Sequence, residues 1–351
     1  MKIAKKNKPK DVPVKKSLLA LAVLASFAGA ASAQSSVTVY GLVDAGITAE
    51  RGGANGSITK LATGVQQGNR LGFKGTEDLG SGLKAIFQLE SGFNLDDGTS
   101  RQGALFGRQA YVGLSGNFGT VSLGRQYDPL FVVMDTIDPF NTGLTGASSN
   151  LLAAGNVRTN NSIVYATPTV NGFSGSALYG AGEKAGDASL GRTIGASAGY
   201  TNGPVVLMAG YNKINATADV GSADLKLILV GGTYNFGPVK LHAAYETEKS
   251  DVLATDFRDY MIGASAPLGT GTLMASYIDK NDRTNGAKGG KQMAIGYSHP
   301  LSKRTSVYTS YGYISNDDAG TNFVGDASSG GSKPVAGHNS SALTVGVRHK
   351  F

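Results

Sequence analysis

The feature that most limits how this chain can fold is a two-residue alternation that recurs, about ten residues at a time, up to the last position. From 37 to 49, Val37, Val39, Gly41, Val43, Ala45 and Ile47 share one face, and Thr38, Tyr40, Leu42, Asp44 and Thr48 share the other. The final example sets Leu343, Val345, Val347, His349 and Phe351 against Thr344, Gly346, Arg348 and Lys350. This period marks a strand with one apolar and one mostly polar face. Strands are predicted at 37–49, 69–77, 83–94, 105–115, 120–126, 159–167, 172–182, 191–201, 204–216, 224–236, 238–249, 257–267, 271–280, 289–300, 304–315 and 342–351, sixteen in all. In 105–115 the alternation is blurred and its faces are not assigned.

The connections alternate in length. Short turns such as Asp78-Leu-Gly-Ser-Gly82, Gly116-Asn-Phe-Gly119 and Pro267-Leu-Gly-Thr270 separate hairpins, and longer polar loops such as 279–290 and 316–341 join them. Short turns at one end and long loops at the other imply strands that run up and down, antiparallel throughout. An even number of strands, each apolar on one face, fits a transmembrane barrel with lipid outside and water inside. A soluble sandwich would bury the same apolar faces against each other, and periodicity alone does not separate the two. The terminal Phe351 ends the last strand without a tail, so the end of the chain is expected to be built into the sheet and to close its edge. Two stretches interrupt the pattern. The first, 50–68, reads as a Gly-rich loop. The second, 127–157, has no usable periodicity, and a loop of that length inside a compact domain usually carries function.

The N-terminus follows a different rule. Seven lysines precede an apolar run from Leu18 to Ala31 that ends in Ala31-Ser32-Ala33, the pattern of a secretory signal peptide cleaved near Gln34. The run is short for a membrane-spanning helix. Those seven lysines and Asp11 supply six of the formal +7 charges, which leaves +1 for the expected mature chain, 34–351, read as a single domain. The basic balance thus belongs to export, and nucleic-acid binding loses its support. With no cysteine, disulfides, thiolate metal sites and a Cys nucleophile are excluded. His242, His299, His338 and His349 form no catalytic motif, and no carboxylate run has the spacing of a calcium loop. Neither an enzyme nor a cofactor or metal is expected.

Several stretches, spread over the whole chain, resemble the trimeric general porins of the Gram-negative outer membrane, most closely their betaproteobacterial branch. They are Val37-Thr-Val-Tyr-Gly41, Arg70-Leu-Gly-Phe-Lys-Gly-Thr-Glu-Asp-Leu-Gly80, Leu83-Lys-Ala-Ile-Phe-Gln-Leu-Glu-Ser-Gly92, Gln109-Ala-Tyr-Val-Gly-Leu114, Phe118-Gly-Thr-Val-Ser-Leu-Gly-Arg-Gln126, Leu301-Ser-Lys-Arg-Thr305 and the ending Val345-Gly-Val-Arg-His-Lys-Phe351. The resemblance implies a 16-stranded antiparallel transmembrane β-barrel in the outer membrane, assembled as a homotrimer. Each subunit would hold a water-filled channel for small hydrophilic solutes and ions, with an assembly signal in Phe351. It also implies that the third long loop, here 127–157, folds inward and constricts the pore.

By the same resemblance, wall arginines match at Arg70, Arg125 and Arg158, loop acids at Asp135 and Asp138, and a lumen acid at Glu90. Leu42 stands where some relatives carry a lumen lysine. Opposed rings of unlike charge would create a transverse field that separates anion and cation paths. Three arginines, with Lys74 and Lys84, lean the expectation to anions. Arg125 follows Val121 and Leu123 at period two, so strict alternation sends it to lipid; a bulge after Gly124 is expected to turn it inward. A solute-specific channel or an adhesin-type barrel with binding loops is the alternative.

Overall fold

Alternation decides which way each side chain points, and the structure shows which face meets solvent. The computed structural model describes residues 36–217, 224–250, 252–325 and 331–351. The expected signal peptide, 1–33, lies outside the described residues. The strands are β1 (Ser36–Arg51), β2 (Ile58–Thr63), β3 (Arg70–Gly80), β4 (Leu83–Gly92), β5 (Gln109–Gly116), β6 (Gly119–Tyr127), β7 (Arg158–Ala166), β8 (Phe173–Gly180), β9 (Thr193–Asn202), β10 (Val205–Ile214), β11 (Leu225–Asn235), β12 (Lys240–Ser250), β13 (Thr255–Leu268), β14 (Gly271–Asp282), β15 (Gly290–Pro300), β16 (Thr305–Asn316) and β17 (Ser340–Lys350).

Each strand from β3 to β17 pairs antiparallel with the next, and β17 pairs back onto β1, so the sheet has no free edge. One edge of β1 is shared by two partners. Its lower half, Ser36 to Leu42, pairs with β3, and its upper half, Ala45 to Glu50, pairs with β2. β2 and β3 therefore act as one wall strand with an interruption at 64–69, which makes a closed barrel of sixteen. The expected loop 50–68 is corrected accordingly: β1 runs on to Arg51, and β2 occupies the loop's second half. The strand expected from 105 begins only at Gln109, and 127–157 contains a short helix.

The apolar faces are outside. On β1, Val37, Val39 and Ile47 are 65%, 59% and 57% exposed, whereas Asp44 and Thr48 are buried. The same holds around the wall, with Val112, Leu123, Ile163, Ile262 and Ile295 outward and Ser122, Asn212, Glu246, Asp259 and Thr344 inward. A sandwich would hide those outward faces. In a bilayer they are the surface that lipid wets, and pairing every backbone group around the ring avoids an unsatisfied donor in hydrocarbon.

The seam is closed by the last residue. Gly41 N–H donates to Phe351 O at 3.0 Å, and Phe351 N–H donates to Gly41 O at 3.1 Å. A Cβ on Gly41 would stand 2.2 Å from Phe351 Cζ, so the ring lies flat over bare backbone. This is the structural place of the expected assembly signal.

A second special glycine sits at the top of β6. Gly124 has φ +138°, where a Cβ would meet Ala110 O at 2.1 Å, and the β6–β7 register shifts between Gly124 and Gln126. Gly124→Ala is expected to cost about 1 to 3 kcal/mol, from backbone strain and the displaced β5 carbonyl. Loss of far-UV circular dichroism in denaturant should occur at lower concentration than for the parent chain; an unchanged midpoint would show that the backbone at Gly124 relaxes freely.

Candidate functional site

The segment 127–157 leaves the wall at the end of β6, crosses the lumen and returns at β7. Its first part is helix α1 (Pro129–Ile137). Asp128 caps it, its Oδ1 accepting from Leu130 N–H at 3.0 Å, and Pro129 occupies the first turn, where a missing N–H costs nothing. Leu130, Val133, Met134 and Ile137 recur at helical spacing and are fully buried against the inner wall. Leu227, Leu229 and Met261 of the wall pack in the same cluster, and two glycines let the helix close in: a Cβ on Gly210 would come 3.0 Å from Leu130 Cα, and one on Gly231 2.8 Å from Ile137 Cδ1. Burial pushes the Asp128 carboxyl up to about 6.

Beyond α1 the segment is pinned at close intervals. A ring nitrogen of His242 lies 2.9 Å from Ile137 O. Asp138 accepts from three backbone N–H groups, Phe140 at 2.8 Å, Thr142 at 3.0 Å and Ser148 at 2.7 Å. Phe140 and Leu144 pack with Met274, Ala294 and Tyr308. Thr145 hydrogen-bonds Ser310, Ala153 N–H donates to Glu246 at 2.6 Å, and Lys280 Nζ donates to Leu151 O at 3.1 Å. These contacts press the segment onto β9–β16 and leave an opening on the β3–β7 side.

The interruption at 64–69 forms another edge of that opening. Asp44, on the inner face of β1, holds it: Oδ2 accepts from Gln66 N–H at 2.8 Å and Gln67 N–H at 2.7 Å, and the Asp44 carbonyl accepts from Gly64 N–H at 2.7 Å. Tyr308 donates to Asp44 Oδ1 from β16. Leu144 N–H then donates to Val65 O at 2.6 Å, tying this inward turn to the crossing loop.

What remains open is a cavity of about 410 Å³ lined by Arg70, Arg101, Arg108, Arg158, Tyr127 and Asp135, with the turn at 64–68. Tyr127 organises the basic side. Its hydroxyl accepts from Arg108 Nη2 at 2.7 Å and Arg158 Nη2 at 2.6 Å. The Arg158 guanidinium lies 4.4 Å from the Tyr127 ring centroid, and that ring stacks on Phe131 at 5.4 Å. Arg70 and Arg101 are turned by backbone carbonyls, Gly68 O and Thr63 O, each at 2.9 Å. Glu90 is buried behind them, bonded to Arg108 Nε at 2.6 Å and to Tyr40 OH at 2.7 Å. Across the opening, Asp135 accepts from Thr142 OH at 2.7 Å, and burial pushes its carboxyl above the ordinary range. Four guanidiniums thus face one lining carboxylate, and counting Glu90 against Arg108 leaves an excess of two positive charges.

Of the expected site residues, Arg70, Arg158, Asp135 and, one layer back, Glu90 are brought together. Two are not. Arg125 pairs with Ala110 in the same outward row that sets Leu123 opposite Val112. Its Nε donates to Gly107 O at 2.7 Å and its Nη1 to Asn160 Oδ1 at 2.6 Å. The register does shift beside Gly124, but the extra residue is on β7, where 159–162 spans three steps against two for 124–126; β6 keeps its alternation, so Arg125 stays outward and Gln126 faces inward with Ser122, bonded to Ser122 and Ser162. Arg108, not Arg125, lines the cavity. Asp138 is also corrected: its carboxylate is 1% exposed and spent on the loop's own N–H groups, away from the opening. Lys74 stacks over Tyr40 at 5.4 Å and lies outside the cavity, as does Lys84. Leu42, in place of a lysine, is buried. Arg101, Arg108, Tyr127 and Asp44 are not singled out by the sequence; the signals were that Asp44 stands on the polar face of the first strand and that Arg108 lies in 105–115, whose faces are not assigned.

Known proteins are similar to this chain over most of its length. An outer membrane porin, protein 32 of Delftia acidovorans, is 38% identical, over 96% of this chain and its own full length. An outer membrane porin of Bordetella pertussis is 34% identical over 96% of this chain and all of that one. The solved anion-selective porin from Comamonas acidovorans superposes with TM-score 0.81 at 35% identity, covering 91% of this chain and 100% of that chain. The Gram-negative porin family matches residues 20–319, nearly the whole described barrel. Sequence kinship and barrel fold agree, and the chain belongs to the Gram-negative porins of the outer membrane.

Proposed function

We propose that the opening beside Tyr127 is the constriction of a general diffusion channel, and that it favours small hydrophilic anions. The observation that carries this is the excess of guanidinium over carboxylate around the 410 Å³ cavity. The channel catalyses nothing; solutes cross it down their gradients. Low-dielectric walls concentrate the field of those charges, so the local anion concentration exceeds that in bulk. Arg158 and Arg108, held on Tyr127, form the basic edge with Arg70 and Arg101. Asp135 is the opposing charge. Asp138 and Asp44 set the positions of the two inward segments that frame the opening. The anion-selective porin from Comamonas acidovorans, 35% identical, supports the sign. The subunits are proposed to assemble as a homotrimer, in keeping with the general-porin resemblance of the sequence, after removal of residues 1–33.

Bilayer recordings in a salt gradient test the assignment. A single charge about 4 Å from a permeating ion is worth about 1 kcal/mol even in water. Arg158→Gln should therefore lower the anion-to-cation permeability ratio by up to about fivefold; an unchanged reversal potential would remove Arg158 from the constriction.

Asp135→Asn should move the reversal potential the other way. Because burial raises the Asp135 carboxyl, it takes up its proton at a higher pH than an exposed carboxylate. The parent channel should become more anion-selective as pH falls, and Asp135→Asn should flatten that dependence.

Asp138→Asn replaces an acceptor of three N–H groups with an amide that presents donors to some of them. Leaving such groups unsatisfied costs about 1 to 3 kcal/mol. The expected outcome is noisier, larger conductance with the reversal potential kept at the parent value; a shift comparable to that of Asp135→Asn would place Asp138 in the ion path.

A further inference from the structure

Beneath the last part of the crossing segment the inner wall carries an acidic cluster that the opening does not use. The register sets Glu246 of β12 directly opposite Asp259 of β13, and Asp259 directly opposite Lys280 of β14. Opposed residues on antiparallel neighbours share a face and lie about 4.5 to 5.5 Å apart at Cα. Glu248 follows two residues later on β12, on the same face. Glu246 and Asp259 are fully buried. Their surroundings are dry: Leu151, Leu152, Leu227, Leu229, Met261 and Ile278 pack there in one cluster.

Three carboxyl groups thus surround one ammonium, and the ammonium is fully engaged. Lys280 has three donors. They go to Leu151 O at 3.1 Å, Glu248 Oε2 at 2.9 Å and Asp259 Oδ2 at 3.3 Å. Nothing is left for Glu246. Its Oε1 accepts from Ala153 N–H at 2.6 Å, but its Oε2 has no partner, and neither has Asp259 Oδ1. The two orphaned oxygens belong to residues that face each other across one strand pair. Among the described residues, the neighbouring elements bring no second cation to them. On the inner face β11 presents Leu227 and Leu229, β15 presents Gln292, bonded to Asn150, and 143–157 holds no charged residue. His242, four residues before Glu246, faces Ile137 O, and Asp282, two beyond Lys280, accepts from Thr284 and Lys288 N–H. Two ionised carboxylates do not share a dry site without a cation between them; one keeps a proton.

We propose that Glu246 and Asp259 share one proton, Glu246 Oε2 donating it to Asp259 Oδ1, and that this proton latches the crossing segment to the wall. With the proton in place both orphaned oxygens are partnered, and Glu246 Oε1 stays free to hold Ala153 N–H. When alkali takes the proton into water, two carboxylates oppose each other on neighbouring strands, a destabilising pair. Glu246 turns away from Asp259 and gives up Ala153. The segment then leaves the wall at 151–154 and moves into the opening, toward the fixed turn at 64–69. The latch therefore closes the channel as pH rises. It differs from Asp135, which acts as pH falls and on the reversal potential. The inference rests on the reading that 127–157 sets the aperture.

The test combines infrared difference spectroscopy with bilayer recordings of the purified channel. E246Q mimics the latched state, because its amide can accept from Ala153 N–H and donate to Asp259. At neutral pH the parent should show the carbonyl band of a buried protonated carboxyl, and E246Q should lack it. At alkaline pH the parent should close about fivefold more often, the effect of losing one hydrogen bond, with its reversal potential unchanged. E246Q should keep its neutral-pH closing rate throughout. Folding is checked by heat-modifiable mobility on gels. Should E246Q fail to fold, D259N, which leaves the pair a single titratable carboxyl, should remove both the band and the alkaline closing. A parent without the band, alkaline closing that persists in folded E246Q or D259N, or closing that follows the identity of the salt cation instead of pH overturns the proposal. So does a band unaccompanied by pH-dependent closing; an Arg158→Gln reversal potential that still shifts would then leave the anion channel standing without its latch.

Discussion

Everything in this molecule depends on the absence of water around its outer face. In hydrocarbon an unpaired backbone N–H or C=O has no partner, so a sheet must close on itself or not enter the membrane. Closure is achieved at the meeting of Gly41 and Phe351, where the first and last strands exchange two backbone hydrogen bonds beneath an aromatic ring. Once the ring of strands is closed, the inside of the wall is free to be polar. Asp44, Asn212, Glu246, Asp259 and Gln292 are all fully buried there. A sixteen-strand ring is too wide for wall side chains alone to fill. The surplus space is what the inward segments occupy.

Those segments obey the same accounting as any buried loop. Backbone groups moved off the wall must find partners, and acids on short side chains provide them. Asp138 satisfies three N–H groups of the crossing loop, and Asp44 satisfies two N–H groups of the turn at 64–69. The basic side of the opening is organised differently. Arg108 and Arg158 converge on a single acceptor, the Tyr127 hydroxyl, and Arg158 lies over the same ring. Their mutual repulsion is offset by Glu90 from behind, so the guanidiniums stay close without being neutralised at the front.

The architecture was legible because alternation is a property of single strands, visible without knowing any partner. Strand number, antiparallel order and the inward loop followed from it and from the family resemblance. The site was legible only where direction along a strand decides the matter, as for Arg70. Arg125 shows the limit. Its alternation points outward, which is where it lies; the irregularity expected on β6 is instead an extra residue on β7, a partner that a single strand's pattern does not reveal. Asp138 shows another. An acid in a loop reads as a charge facing water, and only the fold reveals three N–H groups converging on it. The strand β2 was hidden because Gly-rich flanks mask a six-residue alternation.

The split between β2 and β3 makes the two sides of the opening mechanically unlike. The turn at 64–69 is part of the wall, clamped at each end by ladders to β1, and it cannot swing without unzipping the first strand. The segment 127–157 is joined to the wall only at its ends and otherwise lies on it through side chains and scattered hydrogen bonds. One jaw of the opening is therefore fixed and the other is a tenant of the inner surface. Any change of aperture, by voltage, acid or a bound solute, is a movement of the tenant toward or away from a stationary edge.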